Sequence, residues 1–223
     1  MQTDMPHLIT PSILSADFGH LQEVCEMINK SEADGFHLDV MDGIFVPNIS
    51  FGFPVIKAIQ QHTKKPLDVH LMIVDANKYL ERFKDVGADI LTVHIEACAN
   101  MQRTIDAIRK LNMQVCVAIK PQTHISILAE IISDVDAVCI MSVNPGFGGQ
   151  TFIEGTLKKV QDLKAIILSR KANALIKVDG GIDLSNYMSV VNAGADILVT
   201  GTAVFGAKDP VKAIEALKIN VGL

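Results

Sequence analysis

The feature that most limits how this chain can fold is a rhythm. A short apolar run leads into a loop, an amphipathic segment, a turn and then the next apolar run. The runs are "LITPSIL" (8–14), "GFHLDV" (35–40), "LDVHLMI" (67–73), "DILTVHI" (89–95), "QVCVAI" (114–119), "AVCIMSV" (137–143), "ALIKVD" (174–179) and "DILVTG" (196–201). Several are almost continuous in apolar residues, as parallel strands covered on both faces must be. Helical patterns lie between them. "NMQRTIDAIRKLN" sets Met101, Ile105, Ile108 and Leu111 on one stripe, with Asn100 as N-cap. "DANKYLERFKDVG" groups Tyr79, Leu80, Phe83 and Val86, with Asp75 as cap and Gly87 beyond the end. Eight strands alternating with eight helical segments predict an α/β fold with a parallel sheet. In 223 residues this count points to a closed (β/α)₈ barrel, the TIM-barrel architecture, as one domain over residues 1–223. A doubly wound open sheet is the alternative, but no GxGxxG follows the first run. "GADIL" occurs at 87–91 and again at 194–198, with "EADGF" (32–36) as a looser echo.

Composition narrows the class. With 49% hydrophobic residues, the chain can bury a core without disulfides or metal staples. A formal charge of −5 argues against nucleic-acid binding. The N-terminus has no basic segment followed by an apolar one, so no export signal is expected. No apolar run approaches the roughly 18–20 residues that span a bilayer. Cys25, Cys98, Cys116 and Cys139 form no CxxC pair and read as buried small hydrophobes in a reducing, cytoplasmic setting.

Active sites of such barrels lie at the C-terminal ends of the strands. The residues late in each run are Ser12, His37, Asp39, His70, His94, Lys120, Ser142, Asp179 and Thr200. His37 and Asp39 share one strand face by alternation, so both aim into the barrel mouth. Together with His70 and Asp179 they offer two imidazoles and two carboxylates, a donor set for a borderline divalent ion. The same residues also suit a hydrogen-bonded core or helix caps. Glycines cluster in three consecutive loops: "NPGFGGQ" (144–150), "DGG" (179–181) and "GT" (201–202). Such loops converge backbone N–H groups on a phosphate, and they carry no Lys or Arg. Tight turning alone is the other explanation. Met41, Met72 and Met141 sit at or near strand ends, either as core filler or as the dry pocket wall. The loop "MDGIFVPNISFG" (41–52) is long for a βα connection, which marks it as functional. His7, His20, His62 and His124 receive no role.

The motifs "PSILSADF", "HLDVMDGIFVPNISFG", "PLDVHLMI", "MSVNPGFGGQTFI" and "KVDGGID" closely resemble the ribulose-phosphate 3-epimerase family, in order over residues 8–210. The resemblance implies a (β/α)₈ barrel. It implies that His37, Asp39, His70 and Asp179 hold one divalent cation (Zn, Fe(II), Mn or Co). Asp39 and Asp179 would also be the acid–base pair. Substrate contacts would come from Ser12, His70, Gly146, Phe147, Gly148, Gly149, Gly180, Gly181, Gly201 and Thr202. Three positions depart from the family pattern: Thr202 stands where Ser is common, Lys120 where an amide is usual, and Ile95 where an aromatic is frequent.

The implied activity belongs to carbohydrate metabolism, in the pentose phosphate pathway. It is inversion of C3 in a ketopentose phosphate, interconverting D-ribulose 5-phosphate and D-xylulose 5-phosphate through an enediolate. A 3-epimerase for a ketohexose phosphate such as D-allulose 6-phosphate is the runner-up. A non-catalytic sugar-phosphate-binding barrel is the reading from another class, but the chain keeps both carboxylates. The expected partner is a small sugar phosphate, with no nucleic acid and no membrane, and the chain is expected to form a homo-oligomer.

Overall fold

The computed structural model describes residues 7–219. Its eight strands are β1 (Leu8–Pro11), β2 (Phe36–Met41), β3 (Leu67–Met72), β4 (Ile90–His94), β5 (Gln114–Ile119), β6 (Ala137–Met141), β7 (Leu175–Asp179) and β8 (Ile197–Thr200). All pair in parallel, in the order β1-β8-β7-β6-β5-β4-β3-β2. One parallel bridge, between Ser12 and His37, joins β1 to β2 across the seam. The sheet is therefore a nearly closed barrel, as the eightfold rhythm predicts.

The helices are α1 (Leu21–Lys30), α2 (Phe53–His62), α3 (Leu80–Asp85), α4 (Met101–Lys110), α5 (Gly155–Arg170), α6 (Tyr187–Ala193), α7 (Thr202–Phe205) and α8 (Pro210–Lys218). None among the described residues is long and apolar enough to cross a membrane. The main core lies between sheet and helices. Leu38, Val69, Leu71, Val93, Val117 and Ile140 face outward from the strands and are fully buried there. Helix α4 buries Met101, Thr104, Ile105 and Ile108, and Asn100 caps it by accepting the Arg103 N–H at 3.0 Å. Full burial of a side chain such as Ile105 contributes about 1.5–3 kcal/mol.

Three local expectations are corrected. The first strand stops at Pro11, because the Ser12 hydroxyl accepts the Leu14 N–H and the chain turns into a 3-10 helix over Ile13–Ser15. The β5–β6 connection has no α-helix; two 3-10 turns, Ile125–Leu128 and Ile132–Asp134, replace it. Asp75 is not a cap. It sits in the left-handed region at φ 53° and its carboxylate pairs with Lys78 instead.

The recurring "GAD" and "EAD" segments have a mechanical explanation. Asp34, Asp89 and Asp196 each accept a backbone N–H from the neighbouring strand, from Ile9, Leu67 and Ile176 respectively, at 2.6–2.9 Å. Asp136 does the same for Val115 at 2.8 Å. Each carboxylate pins the start of one strand beside the next. This fixes the register that aligns the catalytic ends.

Candidate active site

The inward-facing residues follow from alternation and register. Asp39 pairs with His70, and His37 with Asp68, across the β2–β3 ladder. Met141 pairs with Asp179 across β6–β7. His37, Asp39, His70 and Asp179 are all buried, and one donor atom from each lies within 4.8 Å of the others. His37 Nε2 is 3.2 Å from His70 Nδ1 and from Asp39 Oδ1, and 3.4 Å from Asp179 Oδ2. His70 Nδ1 is 3.0 Å from Asp39 Oδ1 and 3.4 Å from Asp179 Oδ2. Metal bonds of about 2.0–2.1 Å to a tetrahedral centre imply ligand separations of about 3.3 Å. The donor set and its spacing therefore fit a borderline divalent ion.

The electrostatics agree. Burial alone would push the Asp39 carboxyl up, but the His37 charge and hydrogen bonds from both imidazoles hold it well below the usual range. Burial opposes ionisation of Asp179 too, yet His37 and His70 outweigh it, while the Asp39 charge pulls the other way. Burial lowers both histidines, and the carboxylates more than reverse this: Asp39, Asp68 and Asp179 for His37, Asp179 and Asp39 for His70. Four ionisable groups so close in an enclosed space form a strongly perturbed cluster, a mark of functional sites.

Asp39 and Asp179 line a cavity of about 720 Å³, with His37 and His70 fully buried beneath its lining; it is large enough for a sugar phosphate. Met41, Met72 and Met141 are buried in its wall. The glycine loops rim it, with Gly146–Gly149, Gly180, Gly181, Gly201 and Thr202 all lining, and so does Phe147, which is 53% exposed. Among the described residues, no Lys or Arg lines it. The Ser12 hydroxyl donates to Asp39 Oδ2 at 2.6 Å. The long loop after β2 is pinned to the rim, since Asn48 Nδ2 donates to Gly146 O at 2.7 Å.

Four late-strand residues fall outside this group. His94 is fully buried behind His70, its Nε2 2.9 Å from His70 Nε2. Ser142 alternates with outward Ile140, and its hydroxyl donates to Gly180 O at 2.6 Å, bracing the turn after β7. Thr200 alternates with outward Leu198 and also faces away from the mouth; its hydroxyl has no protein partner. Lys120 does not line the cavity; its ammonium lies 3.9 Å over the Phe45 ring. Conversely, Asp68, Thr92, Lys177 and Glu96 are not among the sequence candidates: Asp68 bonds His37, Thr92 and Lys177 bond Asp68, and Glu96 bonds His94, which in turn bonds His70. Ser15 also lines the cavity, between Gly148 and Gly201.

The described geometry can be set beside known proteins. Residues 8–205 match the model of the ribulose-phosphate 3 epimerase family. The chain belongs to that family. It is 43% identical over 211 residues to a ribulose-phosphate 3-epimerase from Bacillus subtilis (strain 168), covering 94% of this chain and 97% of that one. It is 45% identical over 215 residues to the chloroplastic ribulose-5-phosphate-3-epimerase of Arabidopsis thaliana, covering 96% of this chain and 76% of the relative. These relatives are enzymes acting on carbohydrates. Solved structures share the fold alone. KGPDC from Streptococcus mutans superposes with a TM-score of 0.72 at 15% identity, covering 96% of each chain. The 3-hexulose-6-phosphate synthase of Salmonella typhimurium gives 0.68 at 21%, covering 96% of this chain and 97% of that one.

Proposed function

We propose that this chain inverts C3 of a ketopentose phosphate, interconverting D-ribulose 5-phosphate and D-xylulose 5-phosphate with two aspartates and one divalent ion. The observation that carries this reading is the convergence of Asp39 and Asp179, from β2 and β7, on one cavity beside two buried histidines. Inversion needs a proton acceptor on one face of C3 and a donor on the other, and two carboxylates on separated strands can supply them.

Asp39 takes the C3 proton of D-ribulose 5-phosphate. The C–H electron pair moves into the C2–C3 bond, the carbonyl pair moves onto its oxygen, and an enediolate results. Asp179 returns a proton to the opposite face of C3 as the carbonyl re-forms. The carboxyl that donates must be protonated while the other is ionised, and burial and the Asp39 charge are what oppose ionisation of Asp179. The Ser12 hydroxyl, on Asp39 Oδ2, orients the base.

His37, Asp39, His70 and Asp179 would hold the ion, with zinc, iron(II), manganese or cobalt all compatible with two nitrogens and two oxygens. Bound there, it would supply positive charge for the oxygens on C2 and C3 as negative charge develops. The phosphate would rest on backbone N–H groups of the glycine loops, and the methionines would keep the reacting carbons dry. The matched residues take in all eight strands, which supports reading the chain as one barrel domain. The test is an epimerisation assay on D-ribulose 5-phosphate and D-allulose 6-phosphate, with metal analysis of the same sample. Turnover of the pentose phosphate well above the hexose phosphate is expected. Preference for the hexose phosphate would overturn the substrate assignment.

A further inference from the structure

We propose that His37 and His70 are locked in opposite tautomers by two groups behind them, the Asp68–Lys177 pair and the His94–Glu96 pair, so that His37 Nε2 and His70 Nδ1 present lone pairs to one point. The inference rests on the divalent-ion reading above and adds the residues that preorganise it.

The proton positions follow from counting donors and acceptors. His37 Nδ1 lies 2.7 Å from Asp68 Oδ2. Asp68 already accepts from two other donors: Lys177 Nζ reaches the same oxygen, and the Thr92 hydroxyl donates to Oδ1 at 2.7 Å. An ionised carboxylate only accepts, so His37 Nδ1 carries a proton, and in the neutral ring that an ion can bind it is Nε2 that keeps the lone pair. Lys177 and Asp68 are almost completely buried, on β7 and β3. The lysine spans the barrel beneath the site. Inward Cys116 and Cys139, on the intervening strands, are small enough to leave it room.

The second chain gives the opposite result. His70 Nε2 is 2.9 Å from His94 Nε2, so one of these nitrogens must donate and the other accept. His94 Nδ1 is 3.2 Å from Glu96 Oε2. Glu96 Oε1 accepts the Lys120 N–H at 2.7 Å and the Thr123 hydroxyl, which marks this carboxyl as an ionised acceptor. His94 then carries its proton on Nδ1 and accepts on Nε2. His70 must donate from Nε2, so in the neutral ring its Nδ1 lone pair turns to the cluster. The His70 and His94 rings meet edge to edge, with centroids 5.0 Å apart and planes inclined by 23°.

Asp68 and His94 are thus positioning residues, acting on the ion through the ring they orient. Partners of this kind are worth about 10–100-fold in metal affinity. Removing Asp68 alone would strand the Lys177 charge in the barrel, so the informative variant is Asp68→Val combined with Lys177→Met. In the folded double variant, zinc affinity by chelator competition should fall about 10–100-fold. Unchanged affinity would overturn the assignment. Should that variant not fold, the native sequence decides. Long-range ¹H–¹⁵N spectra of the zinc-loaded full chain should show protons on His37 Nδ1, His70 Nε2 and His94 Nδ1. A proton on His70 Nδ1, or on His94 Nε2, would overturn it. Failure of the native chain to bind zinc, iron(II), manganese or cobalt would instead overturn the ion site on which the inference rests.

Discussion

His37 and His70 face each other nitrogen to nitrogen, Nε2 to Nδ1 at 3.2 Å, with two carboxylates at the same point. Without an ion, Asp39, Asp68 and Asp179 raise His37 well above its ordinary range, and Asp179 and Asp39 raise His70. An ion can bind only the neutral rings, so loading must expel protons. The sign follows: affinity should rise with pH and fall as acid re-protonates the rings. Zinc titration calorimetry at pH 7, in two buffers of different ionisation enthalpy, should register release of at least one proton. Heats independent of the buffer would count against this linkage.

Chelation should abolish turnover, and restoring about one equivalent of divalent metal per chain should recover it. Several metals should work, because a mixed nitrogen–oxygen site discriminates weakly among them. Full activity in a rigorously metal-free sample would rule out the ion.

The glycines should separate into two kinds. At Gly181 the backbone has φ 64°, and a Cβ would lie 2.6 Å from Phe152 N. Gly181→Ala should therefore cost stability, by about 1–3 kcal/mol, as well as substrate affinity. At Gly148 an added Cβ meets the Ser15 hydroxyl at 3.1 Å and no backbone. Gly148→Ala should raise KM while leaving Tm nearly unchanged. Lys208 does not line the cavity, and Lys208→Ala should change KM little. A KM effect of Lys208→Ala as large as that of Gly148→Ala would refute a neutral phosphate cradle.

Ser12→Ala removes the hydroxyl that donates to Asp39 Oδ2. With metal content unchanged, kcat should fall several-fold more than KM rises, since the loss is in the aim of the base rather than in substrate binding. Equal kcat with raised KM would assign Ser12 to substrate binding alone.

Much of the architecture is legible in the sequence, because burial on both faces of a parallel strand writes a continuous apolar run. The four clustered residues are legible for a related reason: His37 and Asp39 interrupt such a run at alternate positions. What escaped notice lay one alternation deeper. Asp68 precedes His70 by two residues and Lys177 precedes Asp179 by two, so each shares an inward face with a cluster residue. A strand end without its register also misleads, as Ser142 and Thr200 show by facing outward. The β5–β6 connection departs from the expected eight helical segments because its apolar pattern "HISILAEII" suits short 3-10 turns as well as a helix. The repeated aspartates were visible as an echo, but their bonds to neighbouring strands depend on pairs about 20–25 residues apart.

The central claim is that two aspartates work on opposite faces of C3, and the Asp179→Asn variant tests it most directly. After its metal content is verified, it is incubated in D₂O with each pentulose phosphate in turn. With D-ribulose 5-phosphate, Asp39 still removes and returns a proton on its own face. Deuterium should therefore enter C3 while almost no D-xylulose 5-phosphate forms. With D-xylulose 5-phosphate, neither exchange nor epimerisation is expected. A metal-loaded Asp179→Asn protein that epimerises at a near-normal rate would contradict the two-aspartate mechanism.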